Sequence, residues 1–282
     1  MPNDFNQPVI EEFRANGGRV GGYFEGARLI LLTTTGARSG KPHTVPLAYL
    51  PDGAERLLII GSAGGGPRHP AWYHNLLADP RATVETGVFT YQAEATVLEG
   101  AERDRIFARA VEVDEGWGNY QKMTSRVLPV VALTEVSGGP PNASSPGAAL
   151  KLVHDAFRRE LSLIRKEFAD SGASLGVQLR MNCLTLCQGL TFHHTGEDTA
   201  LFPYLADRHP ELAPTIDRLG REHKKIAVLI EELSTVVGAD HVDTLSVLPE
   251  VERLTEELER HLDYEESQLI PLLDGVTPHT AE

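Results

Sequence analysis

The spacing of apolar residues along the chain changes near Pro146. Before this point, short apolar runs are closed by glycine, proline or aspartate, which is typical of strands and turns. After it, apolar residues recur every three or four positions, as on one face of an amphipathic helix. The sequence therefore predicts two domains: a β-rich one over residues 1–136 and a helical one over residues 148–275.

The first domain is predicted to be a small antiparallel barrel. Its strands are short and closely spaced, and they do not alternate regularly with helices, which argues against a Rossmann fold. An apolar stripe from Phe5 to Phe13 predicts a short first helix. The predicted strands cover residues 29–35, 45–50, 57–62, 82–86, 90–97 and 127–134, and further helices cover residues 71–78 and 101–113.

Residues 137–147 have the composition of a linker, rich in glycine, proline and serine. Ser145 and Pro146 at its end are typical of a helix N-cap and a first-turn proline. Four helical patterns joined by short loops follow, which favours an up-down bundle. These helices are predicted over residues 146–169, from residue 174 to beyond His193, and over residues 213–237 and 242–273.

A short motif occurs twice in the helical domain. His193 is followed four residues later by Glu197, and His261 is followed in the same way by Glu265. A second acid, Asp198 or Glu266, comes next in each copy, and a proline lies six residues after the first acid. Residues four apart share a helix face, so each copy directs one imidazole and one carboxylate the same way. Two such pairs facing each other predict a box of metal ligands like those of di-iron bundles.

Each predicted helix of the bundle carries a histidine on its apolar face. A single buried histidine is usually an ordinary core residue, but four of them with two glutamates are costly to bury without a cation. Imidazole and carboxylate ligands together suit iron, with zinc and manganese as alternatives. The four histidines are His154, His193, His223 and His261.

Charge and cysteine content limit the classes of function. The net charge is −14; residues 1–147 contribute −3 (13 basic, 16 acidic) and residues 148–282 contribute −11 (13 basic, 24 acidic). Without a basic patch we expect no nucleic-acid partner. Cys183 and Cys187 lie on one helix face, where a disulfide is geometrically unfavourable and a core role is favoured over a redox one. Neither a signal peptide nor a membrane span is predicted, so we expect a cytoplasmic protein.

Three loops of the first domain carry candidate chemistry. Residues 36–41 combine glycines with Arg38 and Lys41, which is compatible with a phosphate cradle or with a plain turn. Residues 61–66 are rich in glycine, so a ligand could approach the backbone, although an ordinary loop is the alternative. Residues 69–75 concentrate aromatic and polar side chains, for which structural packing is equally compatible.

Taken in order, the motifs of the first domain resemble the deazaflavin-dependent nitroreductase and quinone reductase family. They are LLTTTG at 31–36, RSGK at 38–41, TVPL at 44–47, Gly61-Ser62 with Gly64-Gly65, HPAWYHNL at 69–76, and the segment 126–133. The resemblance implies a split β-barrel similar to FMN-binding barrels and the 8-hydroxy-5-deazaflavin coenzyme (F-420). It implies hydride transfer from the reduced coenzyme to a quinone, a nitro compound or another electron-poor acceptor.

The resemblance also implies roles for individual residues. The phosphate tail of the coenzyme would be held by Arg38, Ser39 and Lys41. The deazaflavin pocket would be lined by Pro46, Leu47, Ser62, Gly64, Gly65, Trp72, Tyr73 and Asn75. Family members that reduce quinones often carry several tyrosines before the last strand, whereas this chain has Tyr120 there, with Trp117 nearby. Tyr120 is the candidate catalytic residue.

The second domain resembles the hemerythrin-like family, whose signature is the repeated histidine–glutamate pair. The resemblance implies a non-haem di-iron centre bridged by Glu197 and Glu265. The implied ligands are His154, His193, Glu197, His223, His261 and Glu265. Oxygen carriers of that family have a histidine where this chain has Ala227, so we expect one iron to lose a nitrogen and to favour sensing or oxidase-like chemistry. For His194 and Asp198 an outward or supporting position is favoured.

These inferences lead to a hypothesis and an alternative. The hypothesis is an oxidoreductase that uses the deazaflavin coenzyme and is coupled to, or regulated by, the di-iron centre. The alternative is a protein that senses or stores oxygen, nitric oxide or iron, and whose barrel binds a cofactor without turnover. The expected partner is a small electron acceptor, with oxygen or nitric oxide possible at iron.

Overall fold

The computed structural model describes residues 5–53, 56–137, 141–170, 176–238 and 244–275. The chain divides into two units, one of residues Met1–Asn142 and Gly176–Gln178, the other of Ala143–Leu175 and Leu179–Glu282. The domain limits given above, 1–136 and 148–275, stay predictions. Linker residues 138–140, the helix ends predicted between 171 and 174 and at 242, and His241 lie outside the described residues.

The first unit is built on a closed barrel in which every neighbouring pair of strands is antiparallel. Around the barrel the order is β1-β2-β3-β6-β5-β4, which confirms the predicted small antiparallel barrel. The strands are β1 (Leu29–Thr35), β2 (Pro42–Pro51), β3 (Arg56–Ile60), β4 (Arg81–Glu85), β5 (Thr90–Leu98) and β6 (Val130–Ser137).

Alternation along β1 explains how the barrel is filled. Ile30 and Leu32 lie in one core cluster with Val84 and Val131, while Leu31 packs on the opposite face in a separate cluster. Successive side chains of a strand point to opposite faces, so this uninterrupted apolar run needs cover on both sides. Helix α1 (Asn6–Ala15) supplies the second cover with its buried Val9, Ile10 and Phe13.

Three further helices belong to the first unit: α2 (Ala71–Ala78), α3 (Gly100–Val113) and α4 (Glu115–Lys122). Helix α2 begins and ends as predicted, directly after Pro70. Helix α4 was not predicted. Its N-cap is Asp114, whose side chain accepts a hydrogen bond from the Gly116 amide at 2.7 Å.

The second unit is a helical bundle, as predicted. The Ser145 hydroxyl accepts a hydrogen bond from the Ala148 amide at 3.1 Å, so Ser145 is the expected N-cap of the first helix. Buried leucine, isoleucine and valine side chains fill the core together with the free cysteines Cys183 and Cys187. The helices are α5 (Pro146–Asp170), α6 (Val177–Gly196), a π-helical turn (Glu197–Leu201), α7 (Phe202–Arg208), α8 (Ala213–Gly238) and α9 (Thr244–Leu273).

Among the described helices, none is both long enough and apolar enough to cross a lipid bilayer.

Candidate functional site

The glycine-rich loop after β3 has an unusual backbone. Ala63, Gly64 and Gly65 follow one another with φ angles of 48°, 59° and 74°, in the left-handed region. Ala63 is the one residue other than glycine with positive φ in the described part of the chain, and such strain clusters at ligand-binding sites. A side chain added at Gly64 would meet no atom within 4 Å, so another molecule has room to approach the backbone there.

Arg126 holds this loop in place. Its guanidinium donates hydrogen bonds to three main-chain carbonyls, those of Gly61 (2.9 Å), Ser62 (2.5 Å) and Gly66 (2.9 Å). It also donates to Nδ1 of His69 at 3.1 Å. A planar guanidinium can serve several acceptors at fixed angles, which an ammonium cannot do. Sequence analysis missed this role because sixty or more residues separate Arg126 from the carbonyls of Gly61, Ser62 and Gly66.

Helix α4 lies against the same loop. A Cβ added at Gly65 would fall 2.8 Å from the Met123 side chain and 3.3 Å from the Tyr120 carbonyl oxygen. This places the candidate catalytic residue Tyr120 beside the loop. A hydrogen bond between the Tyr120 and Tyr23 hydroxyls, in which Tyr120 keeps its proton, raises the pKa of the Tyr120 phenol, with further contributions from that neighbour and from burial, so the hydroxyl stays protonated at neutral pH.

Asn75 in α2 ties the loop between β1 and β2 to the barrel. Its amide nitrogen donates to the Thr34 hydroxyl and its oxygen accepts from the Ala37 amide, both at 3.0 Å. The Gly36, Gly40 and Lys41 amides also donate within the loop. The backbone cradle expected here therefore has most of its donors engaged, and anion binding falls to the exposed side chains of Arg38 and Lys41.

The remaining predicted pocket residues occupy different environments. Trp72 is buried in the barrel core, as packing alone would require, and Tyr73 packs against that cluster with its ring 4.9 Å from that of His69. Pro46 and Leu47 are half-buried in β2, and Ser39 is exposed, with its hydroxyl 3.0 Å from Nε2 of His43. Their contact with a coenzyme remains a prediction.

In the bundle, the six predicted ligands come together in the interior. Nε2 of His154 lies 3.1 Å from Nε2 of His193, and the same distance separates Nε2 of His223 from Nε2 of His261. Each imidazole pair joins two helices, α5 with α6 and α8 with α9. Because such pairs place ring nitrogens close together with few other partners, a cation between them is the natural occupant.

The two inward glutamates face both imidazole pairs. Glu197 Oε1 lies 3.3 Å from His193 and its Oε2 lies 3.5 Å from His223. Glu265 Oε2 lies 3.4 Å from His261 and 3.6 Å from His154. One carboxylate that spans two groups of nitrogen donors is the arrangement needed to bridge two metal ions.

The second acid of each sequence repeat supports a histidine from another helix. Asp198 accepts a hydrogen bond from Nδ1 of His223 at 2.8 Å, and Glu266 accepts one from Nδ1 of His154 at 3.0 Å. Glu222 does the same for His261 at 3.0 Å. These contacts leave Nε2 of each ring turned inward, and partners of this kind fix the tautomer and orientation of metal-binding histidines.

Burial controls the electrostatics of the bundle interior. Loss of solvent raises the pKa of Glu197 and Glu265, and lowers the pKa of His193 to about 3 and of His261 to about 4. Among the described residues, none of the four oxygens of the two carboxyl groups accepts a well-aligned hydrogen bond from another residue type, and Glu197 and Glu265 also contact each other. Unpaired buried carboxylates cost several kcal/mol each, so this donor set fits divalent cations.

The structure bears on two details of the bundle. His194 does not point outward: it is 6% exposed, its ring stacks on His223 at 4.2 Å, and its Nε2 has no hydrogen-bond partner within the described structure. Ala227, the position at which the oxygen carriers have a histidine, is exposed. A third imidazole beside His223 and His261 thus comes from α6. Asp198 keeps the supporting position expected of it.

The π-helical turn places Glu197 and the residues that follow. Two threonines of α6 and one of the π-helical turn donate their hydroxyls to the carbonyl four residues earlier: Thr191 to Cys187, Thr195 to Thr191 and Thr199 to Thr195. Such bonds compete with the helical ladder and bend it. Single π-turns occur often at functional sites, and this one begins at a candidate ligand.

Comparisons with known proteins match each half separately. A family model described as F420H(2)-dependent quinone reductase matches residues 7–135, and one described as hemerythrin HHE cation binding domain matches residues 145–273. An F420H(2)-dependent quinone reductase of Mycobacterium tuberculosis (strain H37Rv) is 40% identical over 128 residues, covering 43% of this chain and 84% of that protein. A solved structure described as F420-H2 dependent reductase (FDR-A) is 37% identical, covering 38% of this chain and 93% of that one, with a TM-score of 0.35.

Proposed function

Because the chain belongs to the F420H(2)-dependent quinone reductase family through its first domain, we propose that it transfers a hydride from reduced deazaflavin coenzyme to a quinone or a nitro compound. The observation that carries this proposal is the left-handed loop at Ala63–Gly65, which Arg126 fixes and α4 flanks. A hemerythrin HHE domain follows in the same chain. We assign to it a pair of iron ions that regulates the reductase or exchanges electrons with it.

The role of the barrel residues is to bind the coenzyme and to orient it. The reduced coenzyme supplies the hydride. Open space beside Gly64 would give its ring system room next to the backbone, and Arg38 and Lys41 would hold its phosphate tail. Ser39 carries a hydroxyl next to them. Asn75 acts through Ala37, since both functional groups of its amide already have partners.

We assign to Tyr120 the role of assisting the acceptor. A quinone takes up a hydride and one proton, so a hydrogen-bond donor at its carbonyl oxygen favours the reduction. The raised pKa of Tyr120 keeps its hydroxyl a donor at neutral pH. Tyr23 interacts with Tyr120. It is a second tyrosine near this site, in addition to the one in the segment before β6.

In the bundle, the buried donor set supports the iron assignment. His154 and His193 would hold one ion, and His223 and His261 the other, with Glu197 and Glu265 between them. Two such ions supply redox chemistry with small molecules such as oxygen or nitric oxide. The chain's own contribution is to keep the site buried and the imidazoles oriented through Asp198, Glu222 and Glu266.

Mixing the purified protein with reduced deazaflavin and menadione tests the reductase activity. We expect coenzyme oxidation, followed by its visible absorbance, and slower oxidation in Tyr120→Phe. If a panel of quinones and nitroaromatics gives none while the coenzyme still binds, the alternative of a sensor or storage protein is correct. The coupling is tested by measuring the rate of coenzyme oxidation by iron-loaded and by iron-free protein, each under air and under nitrogen. Equal rates in all four samples would contradict the coupling.

A further inference from the structure

The bundle site has an internal two-fold repeat. His193, Glu197 and Asp198 on one side correspond in sequence spacing to His261, Glu265 and Glu266 on the other. The correspondence extends to contacts, because Asp198 and Glu266 each accept a hydrogen bond from a histidine on a neighbouring helix. A symmetric pair of metal positions would follow if the repeat were complete.

The repeat is broken at the residue after each inward histidine. His193 is followed by His194, and His261 is followed by Leu262. Both are buried: His194 is 6% exposed and Leu262 is fully buried in the apolar core. The same structural position thus carries a metal-binding side chain in one half and an inert one in the other.

His194 lies beside the imidazole pair of His223 and His261. The ligand atoms of His194, His223 and His261 lie within 4.8 Å of one another. The His223 ring lies between the His194 ring (4.2 Å, 18° between planes) and the Phe202 ring (5.3 Å, 17°), which restricts both histidines. The buried Nε2 of His194 has no partner among the described residues, and leaving such an atom unpaired is unfavourable.

We propose that His194 is a ligand to the metal ion held by His223 and His261. In this assignment that ion has three imidazoles and the ion at His154 and His193 has two, since the residue that follows His261 is Leu262, which cannot bind a metal. The proposal rests on the proposed iron pair, and it makes the two ions chemically unequal.

Matched variants of the full chain test this assignment. His194→Leu copies the residue of the other half, His194→Gln keeps polarity, and His209→Leu removes a histidine outside the site. Each is loaded anaerobically with the isotope ⁵⁷Fe(II), and the measurements are iron affinity by titration and the Mössbauer spectrum. Thermal unfolding of the iron-free variants checks that they fold.

We expect the wild type and His209→Leu to bind two ions with two distinct spectral components. Both His194 variants should bind one of the ions at least about tenfold more weakly and lose one component, while the other component stays unchanged. Two ions bound with wild-type affinity and an unchanged spectrum in His194→Leu would overturn the role of His194 alone. Absence of iron binding in the folded wild type would overturn the iron pair itself, and this inference with it.

Discussion

The candidate sites of the barrel and of the bundle differ in whether their polar side chains already have partners within the protein. In the barrel, Arg126 and Asn75 already have protein partners, and Arg38 and Lys41 are solvated. In the bundle, the carboxyl groups of Glu197 and Glu265 and Nε2 of His194 are buried without a well-aligned hydrogen bond to another residue type. The polar contacts of such a site are complete before a coenzyme binds, which suits a ligand that binds and leaves. A bundle of this kind is incomplete without cations, which suits a resident metal.

Substitution of a bridging carboxylate should have the largest effect. Glu197→Gln keeps the shape but removes the charge, so we expect iron after loading and desalting to fall from about two ions per chain to below one. Because the variant no longer buries an unpaired carboxyl group, its iron-free form should unfold at the same temperature as the iron-free wild type or higher. Metal analysis and thermal unfolding give these two quantities.

Glu197→Gln also tests whether the two sites are independent and whether Glu197 is a metal ligand. Coenzyme binding by the barrel should be unchanged in Glu197→Gln, since none of the residues assigned to the coenzyme lies in the bundle. Full iron content in Glu197→Gln would contradict the bridging role. A variant that loses iron but also unfolds far below the iron-free wild type would show that Glu197 is a structural residue.

Much of the bundle could be predicted because its signals are local. The repeat at His193 and His261, the spacing to the first acid and the apolar stripes all follow from helical periodicity. His194 could not be placed in this way, because adjacent helical residues point about 100° apart and only one is expected to face inward. Asp198 and Glu266 could be seen in the sequence as the acids that follow Glu197 and Glu265, but the histidines that they support lie on other helices.

Removal of a supporting acid should weaken the metal without abolishing it. In Asp198→Asn and Glu266→Gln the imidazole loses its charged partner, so we expect about 10- to 100-fold weaker iron affinity. Asp263→Asn is the matched control, because Asp263 and Glu266 both contact Arg158 but Asp263 contacts no histidine of the site. Equal affinities in Glu266→Gln and Asp263→Asn would show that the hydrogen bond to His154 is dispensable.

In the barrel, Arg126→Lys should weaken coenzyme binding by about tenfold, which corresponds to about 1.4 kcal/mol. A lysine ammonium cannot hold the Gly61, Ser62 and Gly66 carbonyls together, so the loop loses its fixed shape. Fluorescence titration of the coenzyme measures the affinity. Arg103→Lys is the control, since Arg103 also donates to a main-chain carbonyl, that of Leu128, outside the loop. Equal losses in both variants would exclude a specific role for Arg126.

The smallest effect concerns pH. Burial and the Arg126 charge lower the pKa of His69, and Arg126 can only donate to Nδ1, so His69 is neutral when the loop is formed. The unfolded chain takes up this proton near the ordinary histidine pKa and the folded chain only at lower pH. The contribution of His69 to stability is therefore present at neutral pH and is lost as the pH falls below the ordinary value.

We accordingly expect coenzyme affinity to fall by less than about threefold between about pH 7.5 and about pH 5.5. His69→Gln retains an acceptor for Arg126 but does not titrate, so it should remove this part of the pH dependence. An identical pH profile in His69→Gln would show that another group is responsible.

In the barrel, β1 and α2 could be predicted from the sequence, whereas α4 and the role of Arg126 could not. Strand β1 and helix α2 were predicted at their observed limits, because Gly36 and Pro70 mark the end of one and the start of the other. Helix α4 was missed since its two glycines, Gly116 and Gly118, lower helix propensity; Asp114 as an N-cap was the available signal. The role of Arg126 depends on contacts across sixty or more residues, which no local pattern reports.

The ligand content of one sample tests the central claim, that the chain holds a resident metal pair and an exchangeable coenzyme, most directly. The protein is loaded with iron under nitrogen, incubated with deazaflavin coenzyme and then desalted extensively. We expect about two iron ions per chain to remain while the coenzyme is lost and rebinds on addition. Retention of less than one iron per chain, or failure of the coenzyme to rebind, would contradict the account.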